Sequence, residues 1–233
     1  MKDRRRRQPP PRDQVESPFH HLLAEFLRSV PFARGAAIVD FEGETVDYAG
    51  TLDPFELRVA AATFQLLLAD LRGSRHFNNV EQVASRMGRA GYLVRVLDPS
   101  YSLLVVLRKL GTFEVSTRIL VELESRILHE AGLPTRRPPA WYHVEVEVPE
   151  HARKPTRLRP PQWSQQTDPW VSLEVLGTLV GSKEGERVYR VRLASGAECN
   201  LLREATRLWF VDEPIEAILR DNAKAEIFRP RRA

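Results

Sequence analysis

The chain has 233 residues, 42% of them hydrophobic, enough for two small domains each with its own core. Its net charge of +4 comes mostly from the two ends, which argues against a nucleic-acid protein with a uniformly basic surface. A single cysteine, Cys199, excludes an internal disulfide framework and a thiolate zinc site, a pattern suited to a reducing, cytoplasmic location. No apolar run reaches the length of a membrane span, and the basic start runs into prolines rather than into the apolar core of a signal peptide.

Residues 1–16 combine Arg4, Arg5, Arg6 and Arg7 with Pro9, Pro10 and Pro11, and are expected to be a disordered basic tail with little to bury. Ser17 followed by Pro18 is a helix cap with proline at the first turn. Phe19, Leu22, Leu23, Phe26, Leu27 and Val30 then recur at helical spacing, which predicts a first helix to about Val30. Gly35-Ala-Ala-Ile-Val-Asp-Phe-Glu-Gly43 and Thr45-Val-Asp-Tyr-Ala49 read as a hairpin. Asp53-Pro54 repeats the cap and opens a second helix to Arg72. Three strands are predicted next, Val80 to Met87, Tyr92 to Leu97 and Tyr101 to Leu107. A third helix opens at Gly111-Thr112 with a stripe of Val115, Ile119, Leu123, Ile127 and Ala131. The predicted order is α-β-β-α-β-β-β-α over residues 17–133.

Residues 134–169 are rich in proline and arginine and read as a linker carrying one edge strand, Tyr142-His-Val-Glu-Val-Glu-Val148. Over 170–228 four strands are expected, Val171 to Val180, Arg187 to Leu193, Glu198 to Leu202 and Arg207 to Val211. A short helix from Pro214 follows, then a basic end at 229–233. The predicted fold class is therefore α/β (α+β), with a small, mostly β, SH3-like module after the first domain.

The second helix carries two apolar stripes. One holds Phe55, Val59, Ala62, Leu66 and Ala69; the other holds Leu57, Ala60, Phe64, Leu67, Leu68 and Leu71. Glu56, Thr63 and Asp70 separate them on one flank, Arg58, Gln65 and Arg72 on the other. A sheet can cover only one stripe, and soluble monomers seldom expose the other, so the helix is expected to pair with a second copy. The interface is assigned to Leu57, Ala60, Phe64, Leu67, Leu68 and Leu71, flanked by Glu56, Arg58, Asp70 and Arg72. A helix sandwiched inside one larger domain is the alternative.

The element order, the hairpin Arg34-Gly-Ala-Ala-Ile-Val-Asp-Phe-Glu-Gly43, Gly91-Tyr-Leu-Val-Arg-Val-Leu97 and Ser102-Leu-Leu-Val-Val-Leu107 resemble the roadblock/dynein light chain 7 superfamily. That superfamily includes bacterial regulators of the MglB type, and the resemblance spans about residues 17–133. It implies a homodimer, or a pair with another roadblock-domain protein, that serves as a platform for a Ras-like small GTPase in cell polarity or motility. It also implies realignment of the GTPase's own residues in place of an inserted arginine finger. The arginine-rich tail and the β-rich C-terminal third depart from the short pattern. They leave open activator, co-activator, exchange-factor subunit and plain scaffold or adaptor.

The chain lacks a Gly-x-x-x-x-Gly-Lys-Ser/Thr loop, so any GTP chemistry belongs to a partner and no enzyme activity or cofactor is expected. Gly88 and Gly91 are turn residues. The histidines at 20, 21, 76, 129, 143 and 151 have no metal spacing, and His20 and His21 read as surface residues. Cys199 reads as a buried thiol, and Glu145 with Glu147 as a solvated strand face rather than an acid–base pair. Nucleic-acid binding through Trp209, Phe210 and nearby arginines is the runner-up for the C-terminal module, although those aromatics are better placed to fill its core.

Overall fold

The computed structural model describes residues 11–30, 32–88, 90–108, 115–135, 138–152, 154–166, 170–180 and 185–219. The chain divides into two compact units: residues 1–115 with 123–135, and residues 116–122 with 136–233. The elements of the first unit follow the predicted order. They are α1 (Pro18–Ser29), β1 (Ala33–Asp40), β2 (Thr45–Gly50), α2 (Pro54–Gly73), β3 (Gln82–Met87), β4 (Ala90–Val96), β5 (Tyr101–Arg108) and α3 (Thr117–Glu130). Leu123 onward in α3 belongs to this unit.

Local chemistry sets the helix starts. Ser17 Oγ accepts from the Phe19 N–H at 3.1 Å, and Asp53 accepts from Phe55 and Glu56, each cap followed by a proline that needs no partner there. The opening expected at Gly111-Thr112 falls on 109–114, outside the described residues; α3 is helical from Thr117, and Ala131, the last of its predicted stripe, is exposed beyond its end.

The five strands form one antiparallel sheet in the order β2-β1-β5-β4-β3. Alternation along each strand makes two apolar faces. Ala37, Val39, Tyr48, Val94, Val96, Leu104 and Val106 form one core with α2. The opposite face turns Arg95 toward α3, where its guanidinium meets Glu124 at 2.8 Å, both side chains buried. Arg126 of α3 grips Glu25 of α1 with two bonds of 2.6 and 2.9 Å, so α1 and α3 lie side by side on this face. One glycine is obligatory at the sheet end: Gly50 has φ of 132°, and a Cβ there would sit 2.4 Å from the Arg34 carbonyl oxygen.

The second unit is a closed six-stranded barrel in the order β10-β11-β6-β7-β8-β9. It comprises β6 (Tyr142–Glu147), β7 (Arg157–Arg159), β8 (Val171–Val180), β9 (Arg187–Leu193), β10 (Glu198–Arg203) and β11 (Trp209–Val211), with a 3-10 turn at Pro161–Gln165. Val144, Leu158, Tyr189, Val191, Leu193, Leu201 and Val211 fill it, together with Ile215 and Ile218 from the helical residues 215–219. The rest of the expected terminal helix and the basic end at 229–233 lie outside the described residues.

Two sequence readings change here. The 134–169 stretch expected as a linker supplies β6, β7 and the 3-10 turn. β6 is no edge strand, since it pairs with β11 on one side and β7 on the other. A three-residue strand flanked by proline-containing segments gives too short an alternation to read. The second change concerns the tail: residues 11–16, expected to be disordered, run along β2 and bond to it, as described next.

Candidate functional site on helix α2

The sheet takes the stripe to which the interface was assigned. Leu57, Phe64 and Leu68 are buried in the unit's own core along with Ala61, and Phe64 stacks on Tyr92 with ring centroids 4.7 Å apart. Ala60 and Leu71 are partly buried, and Leu67 is partly exposed. The assignment to Leu57, Phe64 and Leu68 is therefore corrected. The 57, 61, 64, 68 spacing is a core face, and the small Ala61 completes it. The sheet receives the row with more bulk because that row buries more area.

What remains outside is the other stripe. Phe55 is 70% exposed, Val59 49% and Leu66 59%, with Ala69 exposed and Ala62 partly so. Large side chains are interspersed with alanines along this row. The acidic flank, Glu56, Thr63 and Asp70, faces outward with it. The basic flank is less exposed: Gln65 is buried, Arg72 is partly exposed, and Arg58, also partly exposed, is bound to Asp13. Gly43, at the β1–β2 turn with φ of 89°, stands against Ala62, where an added Cβ would lie 3.4 Å from that side chain. Phe41 in the same turn is also exposed, extending the apolar surface beside the helix.

Residues 12–17 form a strap over β2. Arg12 pairs with Asp47, lies 4.5 Å above the Tyr48 ring, and donates to the Tyr48 carbonyl at 2.6 Å. Ser17, the cap of α1, also donates to Asp47. Burial alone would raise the Asp47 pKa. The bonds from Ser17, Arg12 and the Tyr48 N–H together outweigh it and hold the carboxyl below its usual range. Asp13 accepts from the Tyr48 hydroxyl at 2.6 Å and pairs with Arg58; the tyrosine bond, with Arg58 behind it, lowers its pKa too. Burial and the adjoining Asp13 raise the pKa of Tyr48. Nothing in residues 1–16 announced these bonds, because the strap's partners are some thirty residues away and main-chain oxygens leave no side-chain pattern.

The remaining candidates have no catalytic geometry. Among the described residues no three metal-binding side chains cluster. His20, read as a surface residue, donates through Nδ1 to the Tyr48 carbonyl at 2.8 Å. Burial pushes the Cys199 thiol up to about 12, so it carries no thiolate at neutral pH. Glu145 and Glu147 each pair with an arginine on the barrel surface, Arg159 and Arg157, and the bond from Arg157 lowers the pKa of Glu147. Phe210 is buried; Trp209 is half-buried against Tyr189, 5.8 Å between centroids, and Arg203 lies over it. Arg190 and Arg192 share Glu198. Phe210 thus fills the barrel core, as its apolar strand suggested, and Arg203 is the cation set against Trp209. An apolar cavity of about 300 Å³ lined by Phe19, Ile38, Leu97, Ile127 and Leu133 offers only Tyr101 and Glu130 as polar side chains.

No helix of the described residues is long and apolar enough to cross a membrane. No protein-family model matches the chain, and no curated protein does. Solved structures do resemble its first half. The roadblock/LC7 domain from Streptomyces avermitilis is 19% identical, covers 48% of this chain and 95% of its own, and superposes with a TM-score of 0.43. The gliding protein MglB from Thermus thermophilus is 16% identical over 51% of this chain and 94% of its own, with a TM-score of 0.44. MglC from Myxococcus xanthus is 21% identical over 49% and 98%, with a TM-score of 0.37. These likenesses lie under 25% identity and cover about half of the chain, and the first of them is a roadblock/LC7 domain.

Proposed function

We propose that this chain is a non-catalytic regulatory platform. Its first unit self-associates, or pairs with another roadblock-type domain, through the outer face of α2, and the dimer engages a Ras-like small GTPase in the cytoplasm as an activating or co-activating partner. The observation that carries the self-association is the exposed row Phe55, Val59 and Leu66 on a helix whose other face is already spent on its own sheet. Covering such a row at about 25 cal/mol per Å² gains several kcal/mol before association entropy is subtracted. The GTPase, and a role in cell polarity or motility, rest on the resemblance of residues 34–43, 91–97 and 102–107 to roadblock regulators.

The mechanism this supports is allosteric. A rigid dimer face that binds the catalytic arrangement of the GTPase better than its resting arrangement, by about 3 kcal/mol, would raise hydrolysis more than a hundredfold. The test is a pull-down with GTP-loaded and GDP-loaded Ras-like GTPases of the same cell, followed by single-turnover hydrolysis with saturating regulator. The strap fixes how the tail is tested: removing 1–16 would also cut out Arg12 to Glu16, so the informative deletion is 1–10. Hydrolysis largely preserved after that deletion is the expected result. A loss of about 10³, the value of an arginine finger, would contradict the platform mechanism. Equal capture of both nucleotide states with no stimulation would leave a scaffold instead.

A further inference from the structure

The two ends of the first unit's sheet are finished differently. β3 ends the sheet at one side and exposes Gln82, Ala84 and Met87. At the other end, side chains answer outward main-chain groups of β2 at Val46 and Tyr48. Gln14 Nε2 donates to the Val46 carbonyl at 2.9 Å, and Arg12 Nη1 and His20 Nδ1 to the Tyr48 carbonyl at 2.6 and 2.8 Å. The Tyr48 N–H donates to Asp47 at 2.6 Å. β2 is also bulged: Ile38 pairs with Asp47 and Val39 with Thr45, so Val46 has no register partner on β1. Had another strand lain here it would have satisfied the same groups and presented a new edge. Side chains satisfy them and end the sheet.

Arg12 is locked into this task. Its guanidinium also pairs with Asp47, and its Nε donates to the Gln14 carbonyl at 2.7 Å. Asp13 ties the strap to Tyr48 and to Arg58 of α2, and Ser17, which accepts from the Phe19 N–H, ties it to α1. The strap therefore spans the sheet edge from one helical layer to the other.

A chain with one self-complementary contact closes into a dimer. A chain with two different ones propagates. We propose that residues 12–17 are an edge guard that keeps self-association closed, and that without it β2 pairs with β2 of a second copy over the bulge-free stretch from Asp47 to Gly50. The closed state rests on the α2 dimer proposed above.

The experiment is sedimentation of the full chain over a wide range of concentration, wild type against Arg12→Ala/Gln14→Ala. The variant is expected to reach at least double the wild-type mass, rising with concentration. Adding Leu66→Glu should cap it at a β2-joined dimer. A folded variant with the wild-type mass would overturn the guard. A monomeric wild type with a dimeric strap variant would support the guard while refuting the α2 dimer, so the two readings fail separately. If the double alanine variant does not fold, Arg12→Lys/Gln14→Ala keeps a counter-charge for Asp47 while losing the planar fork that reaches the Tyr48 carbonyl, and the same two masses decide.

Discussion

The two units solve the problem of strand edges in different ways, and the difference frames the association proposed for the first unit. The barrel closes on itself, and the exterior arginines Arg157, Arg159, Arg190 and Arg192 are matched by Glu147, Glu145 and Glu198. The first unit keeps an open sheet, shields β2 with a strap, ends it at β3, and leaves Phe55, Val59 and Leu66 uncovered on α2. Surface ion pairs of the barrel type contribute little each, about 0 to 1 kcal/mol. An uncovered apolar row carries a standing incentive to associate.

The contrast within α2 itself gives the largest expected effect. Phe64→Glu puts a charge where Phe64 stacks on Tyr92, and should cost about 4 kcal/mol or more, unfolding the first unit rather than dissociating a dimer. Loss of the cooperative thermal transition checks it; a folded variant would mean that Phe64 is not in the core. Next comes the buried pair between β4 and α3. Glu124→Ala leaves the Arg95 guanidinium buried without its carboxylate and should cost about 3 to 5 kcal/mol, read by chemical denaturation.

The strap should show itself in pH. Asp47 and Asp13 have depressed pKa values in the folded state, so their stabilisation is fully present above the ordinary carboxylate range and is lost as pH falls through their folded values. Denaturation in a pH series should show stability falling on that acid limb, and Asp47→Asn should flatten the fall while lowering stability at neutral pH. An unchanged acid limb in the variant would mean that the Arg12–Asp47 bond does not hold the edge.

Much of the fold was legible because it is local. Ser17-Pro18 and Asp53-Pro54 announce helices through their caps, and short apolar runs bounded by turn residues announce β1, β2, β4 and β5. The candidate site was only half legible. Two stripes on α2 follow from spacing, but which one meets the sheet depends on how the sheet is packed, and the stripe with Phe64 and its leucines was assigned to the wrong side. The strap escaped, and β6 was foreseen as a strand but not as one paired on both sides, for one reason: their partners are distant in the chain. Arg12 and Gln14 bond to Tyr48 and Val46, and Tyr142 pairs with Val211. Composition near residues 12 or 142 carries no trace of those contacts.

The smallest expected effect on folding is also the most direct test of the central claim, that the outer face of α2 is the association surface. Val59→Glu and Leu66→Glu replace exposed side chains, so each should leave the thermal transition nearly unchanged, within about 0.5 kcal/mol. Sedimentation equilibrium of the full chain should show a wild-type dimer at micromolar concentration, converted to monomer by either substitution. A monomeric wild type, or a dimer that survives both substitutions, would contradict the account.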